Sequence, residues 1–173
     1  MGKKWSNLNL PGALHFVTAN VLDRRRIFND PSSCVSFLNE LNNLNQQWPS
    51  KLIAYVLMPD HFHLISNPCD GRIREFIGTL KSHIARLLGG ELWQESFKAV
   101  PLWSDWMVWQ KINYIHANPV RAGLVKSARD YQWSSFHGYY LSDLTSLAID
   151  REWWWPDDAE KLSRVAKDLG LRG

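Results

Sequence analysis

A chain of 173 residues has room for one domain with a substantial core. With 45% hydrophobic and 21% charged residues it is neither a disordered nor a fibrous composition, and a net charge of +3 permits an anionic partner without demanding one. Two cysteines without a CxxC pair indicate no disulfide framework, and no apolar run approaches the ~18 residues of a membrane span, so a cytoplasmic protein without a membrane partner is expected.

The lysine-bearing start, Met1 to Trp5, has no apolar signal core. Residues 13–21 then read as a strand, with Phe16, Val17 and Val21 favouring an extended chain. The basic turn Asp23-Arg24-Arg25-Arg26 follows, a solvated loop or a phosphate contact. Asn29 or Asp30 can cap a helix with Pro31 in its first turn, and Val35, Leu38, Leu41, Leu44 and Trp48 recur at helical spacing until Pro49. Lys51 to Met58 is a second strand, Pro59-Asp60 a tight corner, and His61 to Ser66 a third strand. A helix from Arg72 to Leu88 carries Ile73, Phe76, Ile77, Leu80, Ile84, Leu87 and Leu88 on one side and stops at Gly89-Gly90.

Leu92 to Val100 completes the strands. The order β-α-β-β-α-β predicts an α+β, ferredoxin-like antiparallel sheet with both helices on one face. A further helix is expected from Ser104 to about Asn118, and beyond it short pieces lead to Trp153-Trp154-Trp155 and a charged helix over Asp157 to Leu169. The division expected is a domain over 1–140 and a tail over 141–173. The ten tryptophans suit core filling or stacking on unpaired bases. Trp93, Trp103, Trp106 and Trp109 are expected to pack the 104–118 helix against the sheet.

Two stretches carry chemistry. In Met58-Pro59-Asp60-His61-Phe62-His63-Leu64 the strand alternation puts His61 and His63 on one face and Phe62 and Leu64 on the other. Two imidazoles on one face can chelate a metal or grip a phosphate, and they need a third partner. Around the segment from Trp109 to Val125, Met107 (just before it), Lys111, Tyr114 and Asn118 form one stripe at three- and four-residue spacing, while Val108, Ile112 and Ile115 form an apolar face. Pro119 places Asn118 at a helix end or a kink, His116 falls off the Tyr114 stripe, and Gly123 ends a helix or turn.

Met-Pro-Asp-His-Phe-His-Leu followed by Tyr-Ile-His-Ala-Asn-Pro-Val-Arg-Ala-Gly-Leu-Val resembles the REP-associated tyrosine transposases, which are HUH single-tyrosine transposases acting on single-stranded DNA. Arg129 to Ser135 is similar to that family too, and the likeness runs from roughly Leu14 to Tyr140. The resemblance implies that Tyr114 is the nucleophile. It further implies that His61, His63 and Asn118 hold a divalent ion, Mg²⁺ or Mn²⁺, and that cleavage leaves a 5′-phosphotyrosine. Such a metal-dependent enzyme would cut and rejoin single-stranded DNA near hairpin, REP-like sequences. Arg24, Arg25, Arg26, Lys81, Arg86, Lys111 and Arg121 are the candidate DNA contacts. Asp60 departs from the family, where Asn is commoner; a carboxylate there can bond a histidine or make the turn.

Two other classes stay open at this stage. A non-catalytic single-strand nucleic-acid-binding module on the same scaffold would not need Tyr114. A zinc hydrolase using His61 and His63 would activate water instead. Sequence does not choose between monomer and homodimer.

Overall fold

The computed structural model describes residues 9–141, 147–151 and 153. Four strands, β1 (Leu14–Asn20), β2 (Ser50–Met58), β3 (His61–Pro68) and β4 (Lys98–Leu102), form one antiparallel sheet in the order β2-β3-β1-β4. This is the expected split βαβ arrangement. Helices α1 (Pro31–Gln47) and α2 (Ile73–Leu88) cover one face. A third helix, α3 (Asp105–Arg121), covers the other, and a short α4 (Phe136–Tyr140) follows.

Each start and stop has a local cause. The Asp30 carboxylate accepts the Ser33 N–H at 3.0 Å and Pro31 opens the first turn of α1. Helix α2 ends on Gly89 at φ +88°. Ser104 caps α3 by accepting the Met107 N–H at 3.2 Å.

The two faces of the sheet carry separate cores. Val17, Ala19, Leu57, Phe62 and Leu64 meet Phe37, Leu41, Phe76 and Leu80 on the α1/α2 side. Leu14, Phe16, Val56, Met58 and Ile65 meet Val108, Ile112 and Ile115 on the α3 side. Period-two alternation in β1, β2 and β3 is what allows this sorting.

The outer edge of β2 is closed by the following chain. The Leu57 N–H donates to Trp133 O and the Ser135 N–H to Tyr55 O. The Tyr131 and Tyr139 hydroxyls donate to Leu57 O and Ile53 O, both at 2.7 Å. Farther along, the Asp150 N–H donates to Leu52 O, and Lys51 pairs with Asp150 at 3.2 Å. An exposed ladder edge is thereby removed. Trp153 crosses to α3, its indole N–H donating to Asp105 at 3.0 Å. The described part of the 141–173 tail thus lies against the domain, while the expected 157–169 helix falls outside the described residues.

Four expectations need correction. The fourth strand is Lys98–Leu102, not 92–100, because Trp93 turns inward onto Phe28, Phe37 and Phe62, with its N–H on Lys81 O at 2.9 Å. The buried stripe of α1 is Cys34, Phe37, Leu41 and Leu44. Val35 falls off that stripe and is 48% exposed. Helix α3 does not end at Asn118 but runs to Arg121 with Pro119 inside it. The tryptophans do not jointly clamp α3: Trp93 belongs to the opposite core, and Trp106 and Trp109 are exposed, Trp109 against Tyr139 and Trp153.

Candidate active site

The registers of β1 and β3 place His63 opposite Thr18 and His61 opposite Asn20. Both histidines point to the α3 side, as alternation requires, with ring centroids 4.8 Å apart. Each is fastened through one nitrogen. His63 Nδ1 is hydrogen bonded to Thr18 Oγ1 at 2.8 Å, and His61 Nδ1–H donates to the Asp60 carboxylate at 2.6 Å. Asp60 in turn pairs with Arg24 at 2.9 Å. Asp60 therefore sits in the turn and also makes the histidine contact.

Burial pushes the His61 imidazole below its ordinary range, and Asp60 offsets only part of that. His63 is pushed down to about 3, first by burial and then by His61 and Lys111. Burial works to raise Asp60, but its bonds and charge contacts with His61 and Arg24 outweigh it and hold the carboxyl below the usual range. At neutral pH the pair is thus two neutral imidazoles beside a carboxylate, each ring keeping Nε2 as its second nitrogen.

Helix α3 lies over this row. The Tyr114 ring meets His63 edge-on at 5.4 Å between centroids, and Phe16 at 5.8 Å. Phe16 also stacks on His63 at 5.3 Å. Lys111, one turn earlier, puts Nζ 4.7 Å from the Phe16 ring and 5.5 Å from the Tyr114 ring. The Arg121 guanidinium stands 5.7 Å from the Tyr114 ring. Burial, then Lys98, lowers the Lys111 ammonium from its ordinary value.

Two cavities flank the histidines. One, of about 630 Å³, is lined by His63, Tyr114, Lys111, Lys98, Thr18, Asn20, Gln94 and Ser96, among others. The other, of about 270 Å³, is lined by His61, Asn118, Asp60, Arg24 and Arg26. Asn118 is held near the end of α3 by a Schellman-type stop: Gly123, at φ +72°, donates to Val120 O, and Leu124 to Pro119 O.

Of the residues singled out from sequence, His61, His63, Tyr114, Asn118, Lys111, Arg121, Arg24 and Arg26 gather here. Arg25 instead donates to Leu22 O and Glu91 O. Lys81 and Arg86 belong to α2 on the opposite face, Lys81 donating to the Gln94 and Glu95 carbonyls. His116 is buried and paired with Ser135 at 2.9 Å. Sequence reading missed Thr18, Asn20 and Lys98. Phe16, Thr18 and Asn20 share a strand face, a visible signal, but only the register shows which histidine each one meets.

Among the described residues, no helix is long and apolar enough to cross a membrane. Residues 12–118 match the family model described as "Transposase IS200 like". A candidate REP-associated tyrosine transposase of Haemophilus influenzae is 28% identical over 149 residues, covering 73% of this chain and 81% of that one. The REP-associated tyrosine transposase of Escherichia coli K12 is 26% identical over 137 residues, covering 74% and 79%. In fold, the chain is similar to the structure of a REP-associated tyrosine transposase bound to a REP hairpin, with a TM-score of 0.71 at 22% identity, covering 87% of this chain and 93% of the other. With a family match over more than half its length, this chain belongs to the IS200-like transposases, a family of DNA-cleaving enzymes, and within them it is similar to the REP-associated tyrosine transposases.

Proposed function

We propose that this protein cleaves and rejoins single-stranded DNA beside a hairpin of the REP type, with Tyr114 as nucleophile and a divalent ion, Mg²⁺ or Mn²⁺, as cofactor. The observation that carries the reading is the packing of the Tyr114 ring on His63, itself beside His61, under the two cations Lys111 and Arg121. A nucleophile, a pair of neutral imidazoles and phosphate-binding charge meet in one place.

The residues fit a divalent ion. His61 and His63 each have Nδ1 tied down, by Asp60 and Thr18, an outer bond of the kind that orients a ligating imidazole, and the Asp60 carboxylate also fixes the His61 tautomer. Asn118 shares a cavity with His61 and would supply an amide oxygen. Bound there, the ion would polarise the scissile phosphate and offset its charge.

Tyr114 Oη attacks phosphorus, forming the P–O(Tyr) bond as the P–O3′ bond breaks. The phenolic proton is released and one proton is taken up by the departing 3′ oxygen, so the products are a 5′-phosphotyrosine and a 3′-hydroxyl. Rejoining is the reverse: a 3′-hydroxyl attacks phosphorus and the phenol leaves. The phosphodiester bond energy is conserved in the covalent link, so no nucleotide cofactor is required. Lys111 and Arg121 stand where they can balance phosphate charge during both steps.

A denaturing gel with hairpin oligonucleotides labelled at the 5′ or 3′ end, with Mn²⁺ or Mg²⁺, tests the reading. The expected result is a denaturation-resistant protein–DNA band carrying only the 3′ label and absent from Tyr114→Phe. Native binding without a covalent band on a panel of REP-like hairpins would favour a binding module. Cleavage that persists in Tyr114→Phe would remove Tyr114 from the chemistry.

A further inference from the structure

The larger cavity holds a second lysine, Lys98, that the histidine–tyrosine chemistry does not use. Lys98 stands on β4 opposite Thr18, and Thr18 stands opposite His63, so Lys98, Thr18 and His63 form one row across three strands. Lys111 descends from α3 on the same side, and both lysines line the cavity beside Tyr114. No Asp or Glu lines it. Among the described residues neither lysine forms an ion pair with a carboxylate, whereas Arg24 pairs with Asp60 and Arg72 with Asp70.

Two ammonium groups facing one cleft repel each other, and Lys111 is also half-buried. Taking a cation out of water beside a like charge is unfavourable unless an anion compensates it. Thr18, Asn20, Gln94 and Ser96 around the cleft offer hydroxyl and amide donors and again no negative charge. An arrangement of this kind suits a phosphodiester.

We propose that Lys98 and Lys111 form a second phosphate clamp, holding a phosphodiester that neighbours the one Tyr114 attacks. This rests on the reading of the protein as a single-strand DNA transferase. It adds a contact, Lys98, that sequence reasoning did not find. The clamp fixes the strand on the β4 side of Tyr114 through its backbone, so its effect is independent of base sequence.

The test uses the full chain and a DNA hairpin with single-stranded flanks, titrated by fluorescence anisotropy across a range of salt concentrations. Lys98 is exposed on an edge strand, so Lys98→Gln leaves the core untouched. Its slope of log K against log salt is expected to be shallower than the parent's by about 0.7, one single-strand phosphate contact, whatever the flank sequence. Methylphosphonate substitution along the flank, which removes one charge at a time, should reveal a single position that weakens the parent more than it weakens Lys98→Gln, where Lys111 alone remains. Lys98→Arg should restore the slope. An unchanged slope in Lys98→Gln, an unchanged methylphosphonate profile, or an Arg variant as weak as the Gln variant would each overturn the clamp. The failures are separable. A Lys98-dependent slope without any covalent band overturns the transferase reading and leaves a phosphate contact, whereas a covalent band with a Lys98-independent slope overturns the clamp alone.

Discussion

Replacing Thr18 with valine tests whether the outer bond on His63 matters. Valine keeps the β-branched shape that suits β1 and removes the hydroxyl that lies 2.8 Å from His63 Nδ1. His63 is only 5% exposed, so water cannot readily replace that partner. Leaving a buried polar atom unpaired costs about 1–3 kcal/mol. For a chain of this size, a loss near 2 kcal/mol lowers the melting temperature by roughly 4–8 °C. The functional effect is separate, because an imidazole freed at Nδ1 can change tautomer and tilt. Affinity for Mn²⁺ should then fall about 10–100-fold. A thermal scan without metal and a calorimetric Mn²⁺ titration read the two effects independently, with Thr18→Ser expected to recover most of both. A valine variant that melts with the parent and binds Mn²⁺ equally well would refute the role given to Thr18. A lower melting temperature with unchanged Mn²⁺ affinity would reduce that role to packing.

Two further outcomes are expected. Burial holds His116 down to about 4, below its unfolded value near 6.5, so the unfolded chain binds more protons between those limits. Its contribution to stability is present above pH 6.5 and is lost as pH falls toward 4, up to about 2 kcal/mol between pH 6.5 and 5; urea unfolding of His116→Asn should show a flatter pH dependence, and an unchanged slope would contradict the argument. At Gly123, φ is +72° and a Cβ would meet nothing within 4 Å, so Gly123→Ala should cost only the backbone penalty of about 1–2 kcal/mol, read as a lower urea midpoint.

The motif residues were legible because their periodicities are local. Alternation alone puts His61 and His63 on one face, and helical spacing alone lines up Lys111, Tyr114 and Asn118. The fourth strand was misplaced because Leu92, Trp93 and Phe97 carry as much apolar signal as Ala99, Val100 and Leu102, and Pro101 argues against a strand until the strand is known to lie at the sheet edge. Helix α3 passes Pro119 because the tertiary packing of Pro119 and the stop at Gly123 outweigh the local preference at Asn118. The partners Thr18 and Lys98 lie 45 and 35 positions from His63 along the chain. Only strand register brings them together, and no local pattern encodes it.

The sheet's two faces also shape how such a protein can change over generations. Along β3, Phe62 and Leu64 pack beneath α1 and α2, while His61 and His63 face α3 and the proposed site. Mutational tolerance along that strand should therefore alternate, with abundance lost at Phe62 and Leu64 and cleavage lost at the histidines. Tyr114 is only partly buried at the rim of its core. A Tyr114→Phe change should therefore leave the fold intact, so that loss of the proposed nucleophile can be read apart from loss of structure.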